Sequence, residues 1–312
     1  MKTIRWLAIL LPCLILCPGS RSSGLMAGEI EAIRARGELV VSLNRDYPPF
    51  AMTVDGRIAG LDVDLANLLA EYLGVKVRFI QPETYDQQIP KLLAGESDII
   101  IAAMTRTVER GLLVSFTDPY YEVSQAALVR RGELPPTADS YFDLLKVKNL
   151  KLGVKADTTH ETFARELFPE SAIHLYPTDA VATDALLKGE VNALVSDSPF
   201  VKIWHVTNPE HYLKVAALLA PVTREYYAFA VRPGDPVFLG WLNLFIDQIQ
   251  IDGTLDLLKQ EYFEEMTWAG KKAPAGSRLT RAEVLKNEFV ARKKAMIEAR
   301  RKELTGLAPD YD

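Results

Sequence analysis

The chain has 312 residues, of which 48% are hydrophobic and 25% are charged. This balance is typical of a soluble globular protein and excludes collagen-like, disordered and multi-span membrane proteins, and the length predicts about two domains. The net charge of −5 disfavours nucleic acid as a partner, because binding it requires neutralisation of phosphates. Two cysteines provide neither a disulfide framework nor a cysteine-based zinc site.

The first residues have the three-part pattern of a secretory signal peptide. A basic start precedes an apolar run at 6–16, and small and polar residues follow it. This run is shorter than the roughly 20 residues that a membrane-spanning helix needs. We therefore expect 1–24 to be a cleaved leader and the mature protein to be periplasmic. Lipidation of Cys17 is the alternative, which the large Leu16 before it disfavours.

From residue 38 onward, short β-branched runs alternate with amphipathic stretches, which predicts βαβ units around largely parallel sheets. The predicted strands are 39–43, 75–80, 98–101, 150–154 and 193–195, and the predicted helices between them are 62–73, 85–94, 159–168 and 179–188. The segment 92–101 resembles 186–195, because each has a helix end, a glycine and a buried strand in the same order. This match predicts two similar α/β lobes.

Two further predicted strands, 126–129 and 227–231, suggest how the lobes are joined. If they run side by side from one lobe to the other as a hinge, the first lobe is discontinuous and the second is inserted into it. The expected bounds are 36–126 and 231–266 for the first lobe and 127–230 for the second.

The end of the chain, 267–312, is predicted to be a linker followed by a charged helix. A capping box at Thr280 and Glu283 opens this helix, which extends to about residue 304. Eight basic and four acidic residues give it a net charge of +4. Either it is a solvated helix packed loosely on the first lobe, or it contacts a partner protein or anionic lipids.

Candidate binding residues follow the predicted strands. In open α/β sheets, ligands bind at the carboxyl ends of the strands, where loops gather and helix N-termini point their N–H groups. After 98–101, Thr105 and Arg110 lie at the start of a short helix, where a guanidinium is suited to hold a carboxylate. After 150–154, a capping box between Thr158 and Glu161 opens a second helix.

Asp197 follows the predicted strand 193–195 and can bind an ammonium group, although it also fits a helix N-cap before Pro199. A cation on one wall of a cleft and an anion on the other fit a zwitterion. Tyr47 follows the first strand and Tyr85 opens the helix after 75–80, so each can present a ring to the cleft or pack in the core.

Five motifs lie in order at 47–50, 60–66, 89–95, 104–110 and 116–121. In residues and spacing they resemble the bacterial extracellular solute-binding proteins of family 3, the polar amino-acid receptors of ABC transporters. The resemblance covers about 36–266 and implies a type II periplasmic-binding fold. This is an α/β fold of two lobes, joined by a two-strand hinge, that close on the ligand; here a C-terminal helical extension follows it.

The resemblance also implies the anchors of the ligand. Arg110, with help from Thr105 and from the helix start at Thr158 and Thr159, holds the α-carboxylate. Asp197 binds the α-ammonium.

The resemblance further implies that Tyr47 covers the ligand side chain, with Tyr85 at the other usual aromatic position. Asn44 replaces an acidic residue of many members that bind basic ligands, which disfavours Lys, Arg or His as the ligand. Asp157 stands where many members have glycine and adds a negative charge near the second carboxylate anchor. Arg106 favours an acidic ligand only if it faces the cleft, and we expect it to point away.

The sequence thus predicts a monomeric, non-catalytic protein that binds an L-amino acid or similar small zwitterion and delivers it to an ABC permease, without metal or cofactor. One alternative is a periplasmic enzyme like cyclohexadienyl dehydratase on the same fold, for which His160 and Glu161 are the nearest proton-donor candidates. Another is a ligand-binding accessory or sensor subunit that docks through the C-terminal helix.

Overall fold

A computed structural model describes residues 28–269 of the chain, except 55, 135, 136, 139 and 222. The predicted leader at 1–24 and the predicted helix at 280–304 lie outside the described residues. In the part that is described, the helices are α1 (Glu29–Arg36), α2 (Leu61–Leu73), α3 (Gln88–Leu93), α4 (Val108–Gly111), α5 (Thr159–Leu167), α6 (Asp179–Lys188), α7 (Ser198–Thr207), α8 (Pro236–Ile251) and α9 (Thr254–Gln260). Of these described helices, none combines the length and the apolar character required to cross a bilayer.

The described strands are β1 (Glu38–Ser42), β2 (Met52–Val54), β3 (Arg57–Ala59), β4 (Lys76–Ile80), β5 (Ile99–Ile100), β6 (Ser115–Val123), β7 (Gln125–Arg130), β8 (Lys151–Lys155), β9 (Ala172–Tyr176), β10 (Ala193–Asp197), β11 (Val215–Leu218) and β12 (Glu225–Val231). They form two five-stranded sheets and the small hairpin β2–β3. The first sheet has the order β4-β1-β5-β12-β6, and the second has the order β11-β7-β10-β8-β9. Helices α2 and α8 pack on the first sheet, and α5, α6 and α7 pack on the second.

The two sheets define two α/β lobes with matching topology. In the first lobe, β4, β1 and β5 are parallel neighbours and β12 pairs antiparallel with β5. In the second lobe, β9, β8 and β10 are parallel neighbours and β7 pairs antiparallel with β10. The two similar segments of the sequence, 92–101 and 186–195, occupy equivalent places in the two lobes. Gly95 lies between α3 and β5, and Gly189 lies between α6 and β10. Their φ angles are 76° and 81°.

The predicted side-by-side pairing of 126–129 with 227–231 is wrong. Residues 126–129 belong to β7, which pairs with β10 and β11 in the second sheet, whereas β12 pairs with β5 and β6 in the first. The chain therefore enters the second sheet at Ser124 and returns between Leu218 and Glu225, before the boundary at 230 that the sequence suggested. The pairing of β6 with β12 ends at Val123 and Glu225, next to the two points where the chain passes between the sheets.

Gly60 positions the loop that follows β1. Its φ of 142° is a conformation that L side chains rarely adopt, and an added Cβ would lie 2.1 Å from the carbonyl oxygen of Phe50. This close approach lets the first N–H groups of α2 bond back to the loop, from Leu61 to Pro49 O at 2.9 Å and from Asp62 to Phe50 O at 3.0 Å. Glycine is required at this position for both reasons.

We expect Gly60→Ala to lower the free energy of unfolding by about 3 kcal/mol or more, because backbone strain and a main-chain clash add. Gly240→Ala is the matched control, since no atom lies within 4 Å of its added Cβ, and we expect it to change stability by less than about 1 kcal/mol. Urea unfolding of both variants measures the difference. Equal losses would contradict the role assigned to Gly60.

Candidate functional site

The carboxyl ends of the parallel strands of both lobes open onto one cavity. The residues that line it are Asn44, Tyr47, Tyr85, Ala103, Thr105, Arg110, Lys155, Thr158, Thr159, His160, Asp179 and Asp197. All of the residues that the sequence analysis selected as ligand-binding are in this set. The structure therefore brings them together, and their contact with a ligand stays a prediction.

Arg110 forms part of the first-lobe wall. The hydroxyl of Thr107 accepts the Arg110 N–H at 3.2 Å and caps α4. The Arg110 Nη1 donates to the carbonyl oxygen of Thr105 at 2.9 Å, and the guanidinium carbon lies 5.6 Å from the Tyr85 ring centroid. Because a guanidinium has five N–H donors, this arrangement leaves capacity to bind a carboxylate.

The start of α5 forms part of the second-lobe wall, but not through the predicted capping box. Thr158 precedes the helix, yet its hydroxyl donates to the carbonyl oxygen of Lys155 at 2.7 Å instead of capping an N–H group. Glu161 Oε2 accepts from the Asp157 N–H at 3.1 Å. The predicted position of the helix start is correct, whereas the predicted capping bonds are wrong because both side chains bond to the preceding loop.

Two charged residues that the sequence analysis considered lie outside the cavity lining. Asp157 is exposed, and its φ of 60° explains why glycine suits this position. Arg106 is also exposed, as expected, and its backbone N–H donates to the carbonyl oxygen of Tyr226 at 2.8 Å. Neither charge is therefore part of the cavity wall.

Asp197 is the last residue of β10 and is buried. Its side chain does not cap α7. Instead, Oδ2 accepts from the hydroxyl of Tyr47 at 2.9 Å and from the hydroxyl of Tyr227, and it lies 3.4 Å from His160 Nε2. Oδ1 is buried with no hydrogen-bond partner among the described residues. The side chain is thus turned toward the cavity with one acceptor oxygen unused.

A hydrogen-bonded chain fixes the protonation of His160. Gln125 Nε2 donates to Glu225 Oε1 at 2.8 Å, so Gln125 Oε1 is the acceptor that faces His160 Nδ1 at 2.9 Å. Burial alone would lower the pKa of His160, but the carboxylates of Asp197, Asp179 and Glu225 together outweigh it and the pKa is raised. Burial would raise the pKa of Asp197, but His160 and the tyrosine hydroxyls lower it. The two side chains therefore form a buried ion pair.

Sequence reasoning missed the role of Lys155. It is the last residue of β8 and is 5% exposed, and its Nζ donates to Asn44 Oδ1 in the other lobe at 3.1 Å. The same Nζ lies 5.0 Å from the Tyr85 ring centroid and 5.6 Å from that of Tyr47. Burial lowers its pKa, although the carboxylate of Asp179 acts in the opposite direction. A lysine directly after the predicted strand 150–154, where ligand-binding side chains gather, was the available signal.

Asp179, the first residue of α6, was also missed. It is buried, Oδ1 accepts from the Ser196 hydroxyl at 2.8 Å, and Oδ2 has no hydrogen-bond partner among the described residues. Acidic residues are common in the first turn of a helix, so the sequence offered no signal that separates this aspartate from a structural one.

A sequence profile described as bacterial extracellular solute-binding proteins, family 3, matches residues 39–265. The chain belongs to this family. Arginine-binding protein 1 of an ABC transporter in Escherichia coli (strain K12) is 27% identical over 78% of this chain and 98% of its own length. The L-arginine-binding protein of Pseudomonas aeruginosa is 31% identical over 72% of this chain and 86% of its own length.

Solved structures agree with this assignment. A protein from Wolinella succinogenes, described as a binding component of an ABC transporter and complexed with lysine, is 36% identical, with a TM-score of 0.71 over 76% of this chain and 100% of that one. An ancestral amino-acid-binding protein, described as a precursor of cyclohexadienyl dehydratase, is 35% identical, with a TM-score of 0.69 and the same coverage. The type II fold with two α/β lobes is therefore confirmed.

We expect the pKa of the His160 imidazole to be raised in the folded protein, and to be lower in Asp197→Asn than in the wild type, because burial persists while the nearest carboxylate is removed. Nitrogen-15 NMR of the imidazole measures both values. Asp184→Asn, at an exposed position on α6, is the control and should leave the His160 titration unchanged.

The same pair predicts how stability depends on pH. Because the folded-state pKa of His160 is raised, its stabilisation is fully present below about pH 6.5 and is lost as the pH rises through the folded-state pKa. We expect the free energy of unfolding of His160→Gln not to show this decrease when it is measured by urea unfolding between pH 5 and about pH 9. A wild-type profile parallel to that of the variant would contradict the ion pair.

Proposed function

We propose that this chain is a periplasmic solute-binding protein that captures an L-amino acid, or a similar small zwitterion, between its lobes and delivers it to an ABC permease. One observation carries the proposal: Arg110 from the first lobe and Asp197 from the second line the same cavity. Membership of a family whose relatives include amino-acid-binding proteins of ABC transporters supports it.

The two anchors suit the two ends of a zwitterion. Arg110 has N–H donors for the α-carboxylate, aided by Thr105 and by the first-turn N–H groups of α5 at Thr158 and Thr159. Asp197 Oδ1 accepts from the α-ammonium, since the protein's own donors all contact Oδ2. A ligand that bridges the lobes binds the closed form better than the open form, and a differential of a few kcal/mol shifts the population usefully.

The remaining features of the proposal concern the mature protein. The leader at 1–24 directs export, with lipidation at Cys17 as the disfavoured alternative, and the mature chain acts as a monomer. The first lobe comprises 36–123 together with 225–266, and the second lobe comprises 125–218. The charged segment 280–304, which the sequence predicts to be a helix, is an added element beyond the two lobes.

Binding, rather than catalysis, is the activity we propose. The relatives reported above are arginine-binding proteins, one of them of an ABC transporter, whereas the link to cyclohexadienyl dehydratase comes through an amino-acid-binding precursor. Of the two proton-donor candidates for such an enzyme, Glu161 forms an ion pair with Arg165 at 2.9 Å and does not line the cavity. His160 lines it but is bound to Gln125 and Asp197.

Calorimetry with the twenty amino acids tests the proposal on protein that has been unfolded, dialysed and refolded to remove any bound compound. We expect Arg110→Ala to weaken binding about 100-fold or more, because a charge-assisted anchor is lost. Arg106→Ala, at an exposed residue of the same loop, should bind like the wild type. Absence of heat with every amino acid, or turnover of arogenate or prephenate, would contradict the proposal.

A further inference from the structure

Asp62 is a buried titratable residue that lies outside the cavity lining. It is the second residue of α2 and is fully buried, and its Oδ1 accepts from the hydroxyl of Tyr120 on β6 at 2.7 Å. Its Oδ2 is buried with no hydrogen-bond partner among the described residues. Burial raises the pKa of the carboxyl to about 7, and no basic side chain in the described residues offsets this. Such burial is costly, so the place of Asp62 calls for an explanation.

Ala103 lies next to this carboxyl and also lines the cavity. It follows β5, and its φ of 47° is in the left-handed region, which residues with a Cβ rarely adopt. The backbone N–H of Ala103 is directed at the Asp62–Tyr120 pair, where it acts against the rise that burial causes in the pKa of each group. An unfavourable backbone conformation persists only where neighbouring groups hold it, and such positions are frequent at ligand sites.

We propose that Asp62 is a positioning residue for the carboxylate end of the site. With Tyr120, it holds the backbone of Ala103 in the left-handed conformation. Ala103 in turn directs the loop toward Thr105 and Arg110. The inference rests on the proposed function and concerns the same site, but it assigns a residue that a ligand does not touch.

The loop after Ala103 is already fixed along its other side by β12. The Ala228 N–H donates to the Met104 carbonyl oxygen at 3.1 Å, and the Arg106 N–H donates to the Tyr226 carbonyl oxygen at 2.8 Å. These bonds begin one residue beyond Ala103, so the direction in which the chain leaves β5 depends on Ala103 itself. An acceptor for the Ala103 N–H therefore completes the support of the loop.

The loop transmits this support to Arg110. Arg110 Nη1 donates to the Thr105 carbonyl oxygen at 2.9 Å, so a change in the direction of that carbonyl displaces the guanidinium. A guanidinium grips a carboxylate with two parallel N–H donors, and this geometry tolerates little displacement. Burial raises the pKa of Tyr85, and the charge of Asp62 adds to the rise, which places Asp62 near a second residue of the cavity lining.

NMR of the Ala103 amide in the ligand-free protein tests the contact with Asp62. We expect the amide signal to shift with a midpoint near pH 7, because the ionised carboxyl attracts the N–H proton more strongly. Tyr120 and Tyr85 also lie near Asp62, but burial raises the pKa of each above 10.0. The shift should be absent in Asp62→Asn and should persist in His160→Gln, which removes the titrating imidazole of the cavity. A signal that titrates equally in Asp62→Asn, or not at all, would overturn the proposal.

Calorimetry with the amino acid that binds the wild type most tightly, among the twenty, tests the effect on the site. Asp62→Leu has a branched side chain without an acceptor, and we expect it to weaken binding about tenfold or more. Asp62→Asn keeps a carbonyl acceptor, and we expect it to bind within about threefold of the wild type.

Asp64→Leu is the matched control for these variants. Asp64 lies on the same helix, and its Oδ2 accepts from the hydroxyl of Tyr262 at 2.6 Å, so the substitution also removes a bond between an aspartate and a tyrosine. We expect Asp64→Leu to bind like the wild type at a temperature where unfolding curves show every variant to be folded. A loss of affinity equal to that of Asp62→Leu would overturn the proposal.

Ala103→Gly separates positioning from a general loss of structure. Glycine adopts a φ near 47° without strain, so the loop then needs less support from Asp62. We expect Ala103→Gly to raise the affinity of Asp62→Leu about fivefold or more beyond its effect in the wild type. Equal effects in the two backgrounds would contradict the positioning role.

The two kinds of measurement distinguish this inference from the proposed function. If no amino acid binds the wild type, the proposed function fails and the positioning role fails with it. If an amino acid binds Asp62→Leu as tightly as it binds the wild type, the proposed function stands and only this inference fails.

Discussion

The structure depends on one buried carboxylate. Asp197 belongs to the second lobe, but the hydroxyl groups that bond to it come from Tyr47 and Tyr227 of the first. An ionised carboxylate is costly to bury unless donors surround it, and here that requirement is met only when the lobes are together. His160 supplies the positive partner from within the second lobe. The group that we propose as the anchor for an ammonium is therefore also a contact between the lobes.

Topology explains why residues far apart in the sequence, from 44 to 197, line one site. Both lobes place three parallel strands side by side, and the carboxyl ends of those strands face the same cavity. Segments far apart in sequence meet there because each follows an equivalent strand. Functional side chains can thus differ between proteins with this fold while the sheets that support them stay the same.

The sequence predicted the site residues that follow the strands of the sheets. It did not predict which of several possible hydrogen bonds a side chain makes at a helix start. Arg110 and Asp197 were found because both follow buried strands of the repeat, and parallel strands present those ends together. The capping box at Thr158 was wrong because the same hydroxyl can reach the carbonyl oxygen of Lys155, and residue types alone do not distinguish the two bonds. Lys155 was overlooked because the predicted strand stopped one residue early. The pairing of β12 with β6 required three-dimensional information, since several neighbours suit an apolar strand.

Tyr47 is stacked between Phe50 of its own lobe and Phe200 of the other, at centroid distances of 5.6 and 6.0 Å. Separation of the lobes exposes the facing sides of two aromatic rings to water, whichever ligand is bound. Phe200 is not part of the cavity lining, so its contribution to holding the lobes together does not depend on the ligand. The stacked rings therefore oppose opening of the lobes independently of the residues that line the cavity, so lobe closure and ligand choice rest on different side chains.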